Sequence, residues 1–215
     1  RMIQGNYMPA DGLKLGAERP PMPFSDVTLQ NVLSHTLWFL PNVASCYAMY
    51  NLLRKKQNNF FDDYKIIVCA GTKAGVGAEA LTPVLTAMGD PLKTKTITLS
   101  CGKLTTGVTV RPWSGVFMLR NLKSPETYFQ TAFRVQSPWE IINDKGDKEI
   151  IKKECYVFDF ALERALAQIS DYSCRLKVDD TSPEQKVAEF IAFLPVLAFD
   201  GSSMNVINAQ DILDI

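Results

Sequence analysis

The chain has 215 residues, 47% of them hydrophobic and 21% charged, with 23 basic residues balancing 23 acidic ones. That composition supports a sizeable core in one large domain, or one domain with an appendage, and excludes long disordered stretches. It also excludes a membrane-spanning helix, because no apolar run approaches the roughly 20 residues that a bilayer requires.

Residues 1–25 are rich in Pro, Gly and Met, including Arg19-Pro20-Pro21-Met22-Pro23, and read as a linker or irregular arm. The opening RMIQGNYMPADG lacks the apolar core of a signal peptide. The start at arginine and the abrupt end after DILDI lead us to expect a fragment of a longer protein. Asp26 can cap a short helix, Val27 to Ser34. Thr36-Leu37-Trp38-Phe39-Leu40 is an apolar strand stopped by Pro41. Apolar positions 43, 46, 47, 50 and 53 predict an amphipathic helix from Val43 to Lys56. Lys65 to Ala70 is a second strand, followed by the glycine-rich stretch Gly71 to Gly77 and a helix from Glu79 to Met88. Thr96 to Ser100 is a third strand and Val116 to Leu119 a fourth, short and wholly apolar.

Ser124-Pro125-Glu126 then opens a helix that runs to Val135. Serine suits the N-cap, proline the first helical position, and the acid the positive first turn. Tyr156 to Phe160 is a fifth strand and Leu162 to Tyr172 a helix. After Asp179-Asp180 the pattern restarts with a helix at Glu184–Phe193 and a strand at Val196–Phe199. A turn at Asp200-Gly201, a strand at Met204–Ile207 and a short helix at Ala209–Leu213 complete the chain.

Short strands alternating with longer helices predict an α/β domain with a mainly parallel, helix-covered sheet. We therefore expect a main domain over 26–178 and a C-terminal subdomain or tail over 179–215. In such sheets ligands bind beyond the carboxyl ends of the strands. The loops 71–77, 101–109 and 120–124 all follow strands and should share that edge.

The five cysteines, Cys46, Cys69, Cys101, Cys155 and Cys174, are scattered and form no C-x-x-C. Free thiols in a reducing cytoplasm are expected. His35 is the single histidine, which argues against a zinc site or a Ser-His-Asp triad, and a hydrogen-bonded structural role is expected for it. No metal ligands are assigned.

Charge is uneven along the chain. From Pro91 to Trp139 the basic residues are Lys93, Lys95, Lys103, Arg111, Arg120, Lys123 and Arg134, against the single acid Glu126. A basic segment around the turn Leu104-Thr105-Thr106-Gly107-Val108-Thr109-Val110 suggests a polyanion partner, either nucleotide phosphates or nucleic acid. The plain alternative is a solvated run of charge. No G-x-x-x-x-G-K-[ST] and no G-x-G-x-x-G occurs, so the chain has no Walker loop of its own. Asp159 lies within a strand and reads as structural rather than as an Mg²⁺ ligand.

Gln130 and Arg134 stand four apart, so they share a helix face. An arginine so placed can reach a γ-phosphate held by a neighbouring domain and stabilise transition-state charge. It can equally be an exposed helix-face residue near a favourable C-terminus. Trp38, Trp113 and Trp139 can stack on bases, although burial is the commoner fate of such residues.

The order of these features resembles the second RecA-like domain of superfamily 2 helicases and translocases. Leu37-Trp38-Phe39-Leu40-Pro41 resembles motif IV, Ser100 to Val110 resembles motif V, and Tyr128-Phe129-Gln130-Thr131-Ala132-Phe133-Arg134 resembles motif VI, Q-x-x-G-R-x-x-R. The wording LTTGVTV…W…VFML…SPETYFQTAFRVQSPW, with FLPVLAFDG near the end, is similar to the helicase regions of bacterial restriction enzymes. The resemblance covers roughly residues 36–215. Phe133 replaces the usual motif VI glycine, and Ser137 stands where a second arginine is expected.

The resemblance implies a RecA-like three-layer domain with a small C-terminal extension. It implies the second half of an ATP-dependent DNA motor in a restriction system, inactive as an isolated fragment. ATP and Mg²⁺ would be held mainly by an absent first RecA-like domain of the same longer chain. Gln130 and Arg134 would be catalytic, and with Gly107 would meet the nucleotide. Lys103, Thr105, Thr106, Gly107 and Thr109 would contact the DNA backbone, where hydroxyls and amides bind phosphate without reading sequence. Two other readings stay open. One is a non-catalytic module of helicase-like fold that binds nucleic acid or protein. The other is a doubly wound metabolic enzyme, against which the lack of an acid, base or nucleophile cluster argues.

Overall fold

The structure, a computed structural model, describes residues 23–24, 27–72, 75, 78–105, 107–176, 181–199 and 204–214. The expectations for Asp26, Thr106, Asp179-Asp180, Asp200-Gly201, most of the N-terminal arm and much of the Gly71–Gly77 stretch lie outside those residues. The described chain divides by its contacts into two compact units.

The first unit comprises residues 31–122 and 127–160 and is built on a five-stranded parallel sheet. Its strands are β1 (His35–Phe39), β2 (Tyr64–Cys69), β3 (Lys95–Ser100), β4 (Gly115–Met118) and β7 (Tyr156–Asp159), in the order β2-β3-β1-β4-β7. Every neighbouring pair runs parallel, with Phe39 beside Ser100 and Met118, Cys69 beside Ser100, and Met118 beside Asp159. The carboxyl ends of all five strands therefore share one edge.

All residues of β1 and β4 are buried. Strands buried on both faces need cover on both sides, and this is why they read as unbroken apolar runs. The helices α2 (Val43–Leu53) and α3 (Ala78–Met88) both pack on β2 and β3, and the turn Phe133–Val135 packs on β4. The chain moves from β1 through α2 to β2, then reverses through α3 to β3. Right-handed crossovers in opposite directions place those two helices on opposite faces. This is the α/β domain with a parallel, helix-covered sheet that the residue pattern predicts, and it is consistent with the RecA-like three-layer class that the resemblance implies.

The central packing is aromatic. Trp38 stacks on Phe117 with ring centres 5.0 Å apart and meets Phe61 edge-on at 6.2 Å. Its indole N–H donates to Thr36 Oγ1 at 3.0 Å, so the buried donor is satisfied. Each such side chain contributes about 1.5–3 kcal/mol through burial.

Element bounds agree with the sequence reading to within a few residues, with two differences. The α2 helix stops at Leu53, and Lys56–Phe61 forms 3-10 turns instead. An antiparallel hairpin, β5 (Glu140–Ile142) and β6 (Lys148–Ile150), was not expected. Its turn is held by Asn143 Oδ1, which accepts from the amides of Lys145 and Asp147, and Gly146 adopts φ +85°. Ile142 and Ile150 are exposed, so the hairpin carries no core pattern that periodicity could reveal.

The second unit gathers residues 27–30, the first part of the short helix α1 (Val27–Val32), and 123–126 with the C-terminal elements. These are α5 (Leu162–Leu176), α6 (Pro183–Phe193) and α7 (Ala209–Leu213), which pack on one another, and the hairpin β8 (Leu197–Phe199) and β9 (Met204–Val206). By contacts α5 groups with α6 and α7. Ser182 caps α6 by accepting from Gln185 N, and Asn208 with Asp211 forms a capping box on α7. No helix among the described residues is long and apolar enough to cross a membrane.

Candidate functional site

The loops that follow β2, β3 and β4 meet at the carboxyl edge of the sheet. The connection 101–114 leaves β3 at this edge and must return across the sheet, because β4 starts at the opposite edge in parallel register. Its first part carries the residues that the sequence singles out. Gly107 is exposed, has φ +68°, and has no atom within 4 Å of the place a Cβ would occupy. Only glycine adopts that conformation without strain. Thr109 is exposed, while Val108 and Val110 on either side of it are buried.

Thr105 is different. It is buried, and its hydroxyl donates to Gly102 O at 2.7 Å. The hydroxyl closes the loop on itself rather than facing outward.

Arg134 lies in the 3-10 turn Phe133–Val135 that continues α4 (Pro125–Ala132). Its Nε donates to Gln130 O at 2.9 Å, one turn back, and its Nη1 donates to Val108 O at 2.6 Å. The half-buried guanidinium thus ties the end of this helical segment to the Gly107 loop. Gln130 is exposed, and it is its backbone carbonyl that meets Arg134. Of the candidates, then, Gly107, Thr109, Gln130 and Arg134 come together around one loop.

Two further cations hold the same edge. Lys103 Nζ donates to the carbonyl of Gly75, linking the loop after β3 to the loop after β2. Arg120, just past β4, donates from Nη1 to Cys101 O at 3.2 Å, and its guanidinium carbon lies 5.5 Å above the Phe39 ring centre. In sequence Arg120 is only one of several basic residues of 91–139. Its partners lie 81 and 19 positions away in the chain, and no local pattern announces them.

The Cys46 thiol lies close enough to the thiols of Cys101 and Cys69 to be influenced by both. Burial pushes Cys46 up to about 12 and Cys69 up to about 11, so both stay protonated. All five cysteines are free, and among the described residues no three His, Cys, Asp or Glu side chains form a group of metal ligands.

The opposite edge of the sheet carries a cavity of about 480 Å³, bordered by His35, Pro91, Ser114, Trp139 and Lys152. His35 is fully buried, with Nε2 2.8 Å from Pro91 O and Nδ1 2.9 Å from Thr96 Oγ1. Nε2 is therefore the donor, and Nδ1 accepts from the threonine. Trp38 and Trp113 are fully buried, whereas Trp139 is half-buried and meets His35 edge-on at 6.3 Å. Lys152 donates to Arg111 O, Trp113 O and Val135 O at 2.7–2.9 Å. Sequence reading missed this residue, because all three of its acceptors are backbone carbonyls.

Fold and edge together define an α/β domain, consistent with the three-layer RecA-like class, whose carboxyl edge carries Lys103, Arg120 and Arg134 and whose sequence has no Walker loop. In sequence the chain is similar to a Mycoplasma pneumoniae protein named as the C-terminus of a candidate type II restriction enzyme and methyltransferase, with 36% identity over 172 residues. The match covers 79% of this chain and 23% of that protein, so the chain spans about a quarter of the length of the curated relative it matches. No family model matches the chain.

Proposed function

We propose that this chain is the second half of an ATP-driven DNA motor within a restriction-modification enzyme. A Walker-bearing domain elsewhere in the longer protein binds ATP and Mg²⁺. Closure of the two domains brings Arg134 and Gln130 to the nucleotide phosphates, while Gly107, Thr109 and Lys103 track the DNA backbone. The observation that supports this reading best is the bridge from Arg134 to Val108 O and Gln130 O. A single guanidinium joins the segment assigned to the nucleotide with the loop assigned to DNA, which gives a physical route for coupling the two. The similarity to a protein named for restriction and methylation supports the biological setting.

The test is the full-length protein carrying Arg134→Ala. Loss of an arginine finger lowers the rate by about 10³-fold or more, so DNA-stimulated ATP hydrolysis should collapse by far more than any loss of DNA affinity from loosening the Val108 loop. Unchanged hydrolysis would sink the assignment.

A second reading, a non-catalytic DNA- or protein-binding module, is favoured by one observation. Arg134 already spends two donors on backbone carbonyls, and Ser137 follows where a second arginine would stand. Full-length protein that binds DNA but never turns over ATP would select this reading.

A further inference from the structure

We propose that Arg120 is a phosphate-binding residue at the topological switch point of the sheet. β1 and β4 are neighbours, yet the chain leaves β1 through α2 toward β2 and leaves β4 in the other direction toward β7. In open α/β sheets the crevice between two such strands, outside their carboxyl ends, is where ligands bind. Arg120 follows β4 and lies over Phe39, the last residue of β1. It is thus the cation of this crevice.

The Arg120 guanidinium is held but not neutralised. One N–H is engaged by Cys101 O, and the Phe39 ring supports one face. A guanidinium carries five N–H donors in a planar fork that matches phosphate, and most of them remain unused. Among the described residues no carboxylate pairs with it. The single acid of 91–139, Glu126, is engaged by Arg175 at 2.9 Å and by Ser124 at 2.8 Å. A half-buried cation with an ordered side chain and no anion is a preformed anion site, because its ordering cost is already met. Lys103 and Arg134 add positive charge around the same loop without contributing an acid.

The ligand chemistry is a phosphate group, carried either by a DNA backbone or by a nucleotide. The inference rests on the motor reading only for those two carriers. The experiment uses full-length protein, wild type and Arg120→Gln, with two probes: a 20-base-pair DNA duplex (about two helical turns) and Mg-ATP. If the phosphate belongs to DNA, R120Q weakens duplex binding about tenfold and lowers the salt slope by about 1. If it belongs to the nucleotide, R120Q weakens Mg-ATP binding about tenfold and leaves the duplex alone. Arg120→Lys, which keeps charge but loses the fork, should lie between, and it serves as the readout if R120Q does not fold. A folded variant that binds both probes like wild type overturns the proposal, as does a wild type that binds neither. Wild type that binds a probe without hydrolysing ATP sinks the motor instead and leaves Arg120 tested by the same measurements.

Discussion

Arg134 donates to Val108 O at 2.6 Å while its Nε holds Gln130 O at 2.9 Å, so one side chain spans two segments 22 residues apart. Lysine has a single compact ammonium and cannot make both contacts in this geometry. We expect Arg134→Lys to lower stability by about 1 kcal/mol, the net worth of such hydrogen bonds. The amides of Gly107 to Val110 should exchange with deuterium faster than in wild type. Unchanged protection there would mean that the bridge does not order the loop.

Gly107 separates strain from binding. At φ +68° an alanine costs about 1–2 kcal/mol, although open space surrounds its Cβ. Asparagine tolerates this backbone region better than alanine does. Gly107→Ala should therefore lower the unfolding midpoint in urea, and Gly107→Asn should largely restore it. If DNA phosphate approaches the bare backbone at this exposed position, both variants weaken duplex binding. Full DNA affinity in the asparagine variant would place the backbone contact elsewhere.

The scaffold was legible because its physics is local. β1 and β4 are covered on both faces and so read as apolar runs, and Ser124-Pro125-Glu126 announces α4 through helix-end chemistry. The carboxyl edge follows from parallel topology, so the loops 101–109 and 120–124 could be expected there in advance. What lay hidden depends on particular hydrogen-bond and ring partners. Thr105 looks like its exposed neighbour Thr109 until Gly102 O is seen to take its hydroxyl. Arg120 gains meaning from Phe39 and Cys101, and Lys152 from three carbonyls in two other segments. The β5–β6 hairpin buries neither Ile142 nor Ile150, and a strand without a buried face leaves no period to detect.

Gly115 opens β4 because nothing larger fits there. A Cβ at this position would lie 2.5 Å from Leu33 Cδ2 and 3.2 Å from Thr36 Cγ2, and both neighbours are fully buried. Overpacking of this kind costs about 1–3 kcal/mol. Gly115→Ala should lower the thermal midpoint accordingly. Leu33→Ala, destabilising alone, should offset part of that loss in the double variant, and strict additivity in this cycle would show that the two sites do not touch.

His35 gives the molecule a defined acid response. Burial lowers its pKa below 6.5, opposed by the hydrogen bond to Pro91. Below pH 6.5 the unfolded chain takes up a proton at His35 that the folded chain refuses, so stability falls as pH drops from 6.5 toward the folded value. Protonation would also turn the Nδ1 acceptor that faces Thr96 into a donor. Because His35 is the only histidine, its imidazole signal in NMR reports the pKa without ambiguity. A midpoint at or above 6.5 would contradict this account. His35→Gln should flatten the stability profile as pH falls below 6.5.

Lys152 is the fastening of the returning connection. Its three donors meet Arg111 O, Trp113 O and Val135 O, so it joins the segment leading into β4 to the end of the Arg134 turn. Burial pushes its ammonium down to about 8, while the carbonyls favour the charged form, because a neutral amine offers only two donors. Lys152→Met fills similar volume and removes every donor. Trp113 and Val135 are fully buried, so the substitution leaves buried carbonyls without their donor, at a cost of about 1–3 kcal/mol. Urea unfolding should show that loss at pH 7, with faster amide exchange at Trp113 and Ser114. A variant as stable as wild type would mean that water replaces the ammonium at no cost, and that the connection is held by the burial of Val108, Val110 and Trp113 alone.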